Sequence, residues 1–370
     1  MAKVKKKLLP KNFEELLKES DLESLKAIFQ NCDVDARGGY TKQTALAFND
    51  CPDDLVRWLL GQGADLMAED SYGETALHAR ARHWQGRIEI LLELGANVEH
   101  GEDGRGTPLH LAAGTHNLRT TRILLQHGAS ADALNREKMT PLSYALQRCT
   151  NASLPNMAAI AELLLEADPP KPEKPRGIFS RLFGPNFADD AKFDAKARVT
   201  QIGTDFEFHR GNYNPDSVDA ASAALDRLYE LFGVTPVPRR VMHDGDAKIV
   251  AKSKNWQDIH QELWELLVPS HGHAVTAQGE VIRISGRIND EMERNGGCNW
   301  DADYNRMAAA FLKVISSGQA LSDVEQRESE EIVKALSTKQ SDTARLCELA
   351  VCWVGLNPMP VKLSQPNYGR

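Results

Sequence analysis

"GTPLHLAAGTHNLRTTRILLQHGASADA", Gly106–Ala133, reads as two short helices joined by a tight turn. Thr107 is placed as a helix N-cap, and Pro108 after it has its φ pre-set for the first helical turn. Leu124 and Leu125 lie on the buried face of the second helix, and Gly128 supplies the left-handed residue that ends it. Helices this short are marginal alone, so the stretch needs copies of itself alongside.

The copies are present. Thr-Ala-Leu or Thr-Pro-Leu begins at Thr44, Thr75, Thr107 and Thr140, at intervals of 31, 32 and 33 residues. A Leu pair recurs at Leu59-Leu60, Leu91-Leu92, Leu124-Leu125 and Leu164-Leu165, and Gly-Ala follows at Gly63, Gly95 and Gly128. "TPLHLAA" (Thr107–Ala113) and "LLQHGASADA" (Leu124–Ala133) closely resemble the ankyrin repeat family. The resemblance covers residues 11–168: a degenerate N-terminal cap and about four units, each a helix–turn–helix of about 33 residues with a projecting finger. It implies that His78 and His110 are structural, tying neighbouring fingers together. It also implies a binding surface formed by the fingers and the concave face of the inner helices.

The expected fold class is all-α, an ankyrin-repeat solenoid followed by a mostly helical C-terminal domain. Residues 1–10 form a basic, flexible N-terminus. "PPKPEKPRGIFSRLFGP" (Pro169–Pro185) is a Pro-rich linker, in which the apolar and basic segment 177–184 either docks on its own domain or touches a partner. Residues 186–370 form the C-terminal domain, with helical spacing in Asp216–Gly233, Asn255–Leu267, Gln278–Gly297, Asp301–Gly318, Leu321–Ser337 and Ser341–Gly355. Arg198–Arg210 alone reads as a strand, and the tail after Gly355 as an irregular arm.

Charge and composition narrow the function. The net charge is -8, with 19 Lys/Arg against 24 Asp/Glu up to Asp168 and 25 against 28 after it, so no basic domain offers a nucleic-acid partner its counter-charges. No apolar run approaches the length of a membrane span. Six cysteines without a CxxC pair suit a reducing, cytoplasmic setting. Neither a P-loop, a Rossmann glycine fingerprint nor a GxSxG elbow is present, so no cofactor is expected and an enzyme is the weaker reading.

The favoured function is therefore binding of a protein partner, as an adaptor or as a bacterial inhibitor of immunity type. The candidate contact residues are those without a duty in the repeat. They are Tyr40, Tyr72, Arg105 and Lys138 on the fingers, and Arg80, His83 and Trp84 at the third unit's first helix, where Trp84 could also fill a shortened turn. Tyr, Trp and Arg are the types enriched at interface hot spots. One alternative is an enzyme with a His/Asp metal site drawn from His243, Asp244, Asp246, His271 and His273, although "HDGD" and "SHGHA" also read as turn chemistry. Another is a passive scaffold with one partner per half. The sequence leaves the partner's identity and the oligomeric state open.

Overall fold

The computed structural model describes residues 4–101, 105–167, 194–336, 342–363 and 366–369. They fall into two compact units, Met1–Phe206 with Asn214–Val237, and Glu207–Tyr213 with Pro238–Arg370. The first unit begins with a small sheet. β1 (Lys6–Leu8) runs parallel to β2 (Cys32–Gly38), and β2 antiparallel to β3 (Gln43–Thr44). Two helices, α1 (Phe13–Glu19) and α2 (Leu22–Asn31), stand between β1 and β2. The expected flexible terminus is thus ordered from Lys6. Its lysines stay exposed on the sheet edge, a usual guard against edge pairing, while Leu9 is buried against Gly38, where a Cβ would lie 3.0 Å from the Leu9 Cβ.

The repeats follow as α3 (Asp53–Gly61), α4 (Ala76–Arg82), α5 (Glu89–Glu93), α6 (Pro108–Gly114), α7 (Leu118–Gln126), α8 (Pro141–Arg148) and α9 (Leu154–Ala167). Thr75, Thr107 and Thr140 cap α4, α6 and α8 as their positions predict. Leu59, Leu91 and Leu124 are completely buried, and Gly63, Gly95 and Gly128 have φ between +85° and +91°. Thr44 opens only a single 3-10 turn, Ala45–Ala47, and Pro52 stands at the N-cap of α3. The inner helices pack in order, α4 on α6 and α6 on α8.

Two segments expected in the C-terminal domain belong partly or wholly to the first unit. These are α10 (Ala195–His209), up to Phe206, and α11 (Pro215–Phe232), which packs along α9. The solenoid's last helix would otherwise show an apolar face to water, and covering it is what a terminal cap does. Arg198 of α10 donates to the carbonyls of Leu146 and Gln147 at 3.0 Å each, finishing the C-terminus of α8. The strand expected over Arg198–Arg210 is therefore a helix. Val199, Ile202 and Phe206 recur at helical spacing and are buried, while the β-branched Thr200 and Thr204 satisfy their hydroxyls on carbonyls four residues back. The linker expected over 169–185 lies outside the described residues.

The second unit holds α12 (Trp256–Leu267), α13 (Ala277–Glu293), α14 (Ala302–Ile315), α15 (Asp323–Ala335) and α16 (Thr343–Leu356). Each begins at a side-chain cap, from Asn255, Thr276, Asp301, Ser322 and Asp342 respectively. α13 is central, packed by α12, α14 and α16, and every residue from Ala277 to Ser285 is buried. Val281, Ile284 and Ile288 meet Met307, Phe311, Leu346 and Trp353 in the core. The tail is irregular but strapped down. The Gln278 amide donates to the carbonyls of Asn357 and Met359 at 2.8 Å each, and its oxygen accepts from the Val361 N–H at 3.0 Å. Tyr368 is buried beyond it.

Candidate protein-binding surface

Two of the fingers are turns closed by a short polar side chain. Asp70 Oδ1 accepts from the N–H groups of Tyr72 and Glu74 at 2.8 and 3.0 Å. Asn135 Oδ1 does the same for Glu137 and Met139 at 3.0 Å each. Behind the fingers, His78 Nδ1 accepts from the Thr75 N–H at 3.2 Å and its Nε2 reaches the His100 carbonyl at 3.0 Å. His110 repeats this with Thr107 and Met139 at 3.1 and 3.0 Å. Burial pushes the His78 imidazole down to about 4 and also lowers His110. Both rings are therefore neutral, with the proton on Nε2, and act as ties between loops.

The fingers and inner helices enclose a groove of about 820 Å³. At α4, the Arg105 guanidinium lies 4.4 Å above the Tyr72 ring. At α8, the Arg148 guanidinium lies 4.5 Å above the Tyr144 ring. Gly114 of α6 forms part of the floor. A Cβ there would lie 2.5 Å from Tyr144 Cε1 and 3.2 Å from Arg148 Cδ, so the second stack depends on this glycine. A helical glycine costs about 1 kcal/mol relative to alanine, and here the missing methyl leaves room for the stack. Glu74 is nearly buried; it pairs with Arg82, and its Oε1 lies 3.8 Å from Arg105 Nη1. Among the described residues that oxygen has no hydrogen-bond partner.

The expected contact residues separate. Tyr40 is 91% and Tyr72 43% exposed, and the neighbouring Tyr40 phenol raises the Tyr72 phenol above its ordinary pKa. Tyr72 and Arg105 share the groove. Lys138 sits on its finger at φ +60° and lines a shallow hollow with Arg136. Arg80 is not a surface residue. It is 0% exposed and donates to the carbonyls of Leu46 at 2.8 Å and Arg87 at 3.0 Å, ending neighbouring backbone segments as Arg198 does. His83 and Trp84 stand beyond the C-terminus of α4, at the opposite end of that helix from the fingers. Trp84 is 78% exposed and does not fill the shortened turn. Asn117 closes that turn by donating to the carbonyls of His83 and Trp84 at 2.9 and 3.0 Å.

Arg82, Arg136, Tyr144 and Arg148 line the groove without having been singled out from the sequence. The available signal was comparison across units. Counting from each capping threonine, Arg82 stands where later units have Gly114 and Gln147, while Tyr144 and Arg148 are one helical turn apart on α8.

In the second unit three of the five metal candidates, His243, Asp244 and His273, are engaged elsewhere. His243 Nδ1 accepts from the Gly245 N–H at 3.0 Å, and Asp244 Oδ1 accepts from Asp246 and Ala247 at 2.9 and 3.0 Å, as turn residues do. Asp246 and His271 are exposed. His273 Nδ1 faces Arg283 Nη2 at 3.1 Å, where a cation would meet a guanidinium. Among the described residues no three His, Cys, Asp or Glu side chains are placed to hold a metal ion, and no helix is long and apolar enough to cross a membrane.

A family model described as ankyrin repeats (three copies) matches residues 43–130 and 81–173. Among curated proteins, the chain is 34% identical to Ankyrin repeat and SOCS box protein 16 of Mus musculus, over 32% of this chain and 28% of that protein. It is 36% identical to the Homo sapiens protein of the same name, over 28% of this chain and 22% of that protein. It is 34% identical to the B-cell lymphoma 3 protein of Homo sapiens, over 25% and 22% of the two chains. The chain thus spans less than a third of the length of these relatives. Ankyrin repeats are protein–protein interaction modules, and residues 43–173 of this chain are ankyrin repeats.

Proposed function

We propose that this chain is an adaptor that binds a partner protein in the groove between the fingers and the inner helices. The observation that carries the reading is the pair of guanidinium–tyrosine stacks lining that groove. Tyrosine offers large contact area with few torsions to freeze, an arginine held over a ring is already partly ordered, and both types are enriched at interface hot spots. The acidic net charge favours a protein over a nucleic acid as partner, and six unpaired thiols suit a reducing cytoplasm. Inhibition of immunity type is the narrower form of the same reading, checked by whether the captured partner loses activity in the complex.

The experiment is affinity purification of the tagged full chain from its native host, with identification by mass spectrometry. The double variant Tyr72→Ala/Arg105→Ala is expected to lose the captured partner at an unchanged thermal midpoint, because both side chains reach solvent. Capture that survives this double change overturns the reading.

A further inference from the structure

We infer that the occupant of the groove is an extended, acidic segment of the partner, with carboxylates that straddle Gly114. The inference rests on the groove being the binding surface, and adds the chemistry of what enters it.

The charge balance is local. The chain as a whole carries -8, yet its groove gathers Arg82, Arg105, Arg136 and Arg148 against Glu137 and the nearly buried Glu74. Glu74 is committed to Arg82 and approaches Arg105. Arg136 and Arg148 have no carboxylate partner among the described residues. A guanidinium stacked on a ring has one face covered and its plane fixed, while its N–H edges remain available. That is the arrangement suited to a carboxylate taken by two parallel hydrogen bonds. Arg105 and Arg148 both stand this way, 4.4 and 4.5 Å above their tyrosines.

The spacing follows from the repeat. α4 and α8 pack on α6, so Arg82 and Arg148 belong to helices two packing steps apart. Helix axes pack about 8–10 Å apart, and the Arg148 side chain leans over α6 at Gly114, so the two guanidinium positions are separated by one to two packing steps, roughly 10–20 Å. Extended chain covers about 3.3 Å per residue, so about three to six residues bridge them. The segment would cross α6 over the Tyr144–Arg148 stack, which fills the space that a side chain at Gly114 would take.

The test is selection of a random 12-residue peptide library on the full-length chain, followed by fluorescence anisotropy of the selected peptides. Selected sequences are expected to be enriched in Asp or Glu pairs three to six residues apart. Their binding should fall ten-fold or more in Arg148→Gln and in Arg105→Gln, and fall steeply with added salt. Arg148→Lys should recover only part of it, because it restores the charge without the fork. Gly114→Ala should weaken binding by displacing the Tyr144–Arg148 stack. No acidic enrichment over the starting library, or acidic peptides that bind Arg148→Gln undiminished, overturns the inference. A selected peptide that binds only when its serines are phosphorylated, with the Glu version inert, overturns it as well. Neutral selected peptides combined with partner capture that still requires Tyr72 and Arg105 would refute the acidic occupant alone. Capture indifferent to Tyr72 and Arg105 would refute the groove itself.

Discussion

Two carboxylates, Glu74 in the repeats and Glu280 in the second unit, are both nearly inaccessible to water, and they are finished differently. Glu280 on α13 has both oxygens occupied. Oε2 accepts from Arg283 Nε and the Ala274 N–H at 2.9 Å each, and Oε1 accepts from Arg283 Nη2 at 2.6 Å and the Tyr368 hydroxyl at 2.8 Å. These bonds hold its carboxyl below the ordinary range against the opposing effect of burial. Glu74 pairs with Arg82, but its Oε1 has no hydrogen bond among the described residues, and its second arginine stands off at 3.8 Å. A completed buried network fixes a structure, here by strapping the tail to the central helix. An incomplete one beside a groove leaves Glu74 Oε1 an open acceptor and the donors of Arg105 uncommitted.

The largest expected effect lies in the completed network. Arg283→Met leaves Glu280 charged, buried and without its guanidinium, and should cost about 3–5 kcal/mol. Urea unfolding followed by circular dichroism checks it. A cost below about 1 kcal/mol would mean that the Glu280 network is not a structural lock and would remove one side of the comparison.

Acid comes next. His78 is buried as a neutral ring, with its pKa lowered to about 4 in the folded chain against about 6.5 when unfolded. The unfolded chain therefore binds the proton more readily. The stability that His78 contributes is complete above about pH 6.5 and is lost as the pH falls toward 4, roughly 2 kcal/mol of it by pH 5. His260 in the second unit is also lowered to about 4 by burial, so both units should soften in this window. Glu280 has the opposite origin, a depressed carboxylate, and its contribution fails only at more acid pH, below the usual carboxylate range. In His78→Gln the urea midpoint should start lower at pH 7 but drop less between pH 7 and pH 5. An unchanged drop would show that His78 is not the titrating tie.

Glu74→Gln sharpens the contrast from the other side. Arg82 and Arg105 are partly exposed and keep their hydration when the charge is removed, so the cost should stay within about 1 kcal/mol. The groove becomes more positive, so acidic peptides should bind it more tightly. A loss as large as that of Arg283→Met would place Glu74 among the structural locks.

The same contrast explains what could be read in advance. Thr75, Thr107, the Leu pairs and Gly128 act within one unit, so their spacing alone identified caps, buried faces and stops. Arg80 and Arg82 are two residues apart on a seven-residue helix, and only packing shows that one ends a neighbouring backbone while the other lines the groove. The groove itself combines side chains from three units, and Gly114 acquires its meaning only when Tyr144, thirty residues later, lies against it. α11 reads correctly as a helix from its own spacing, but its place along α9 is a long-range packing choice that no local pattern records. In the second unit, Gln278, Glu280 and Arg283 are polar positions that only the distant tail covers, and no local pattern on their helix marks that cover.

The smallest effect belongs to the residue that stood out most in the sequence. Trp84 is large, aromatic and exposed, and its removal by Trp84→Ser should change stability by no more than about 0.5 kcal/mol. The turn beneath it does not need the indole. Asn117 holds the two preceding carbonyls, and Gly86 at φ +54° lets the chain pass where a Cβ would meet Thr120 Oγ1 at 1.8 Å. Trp84 also lies at the far end of α4 from the fingers, so partner capture should persist. Side-by-side capture with Trp84→Ser and with Tyr72→Ala/Arg105→Ala decides between the two ends of the inner helices. If the tryptophan variant loses the partner and the finger variant keeps it, the interaction surface runs along the turns, and the stacked arginines of the groove serve only the fold.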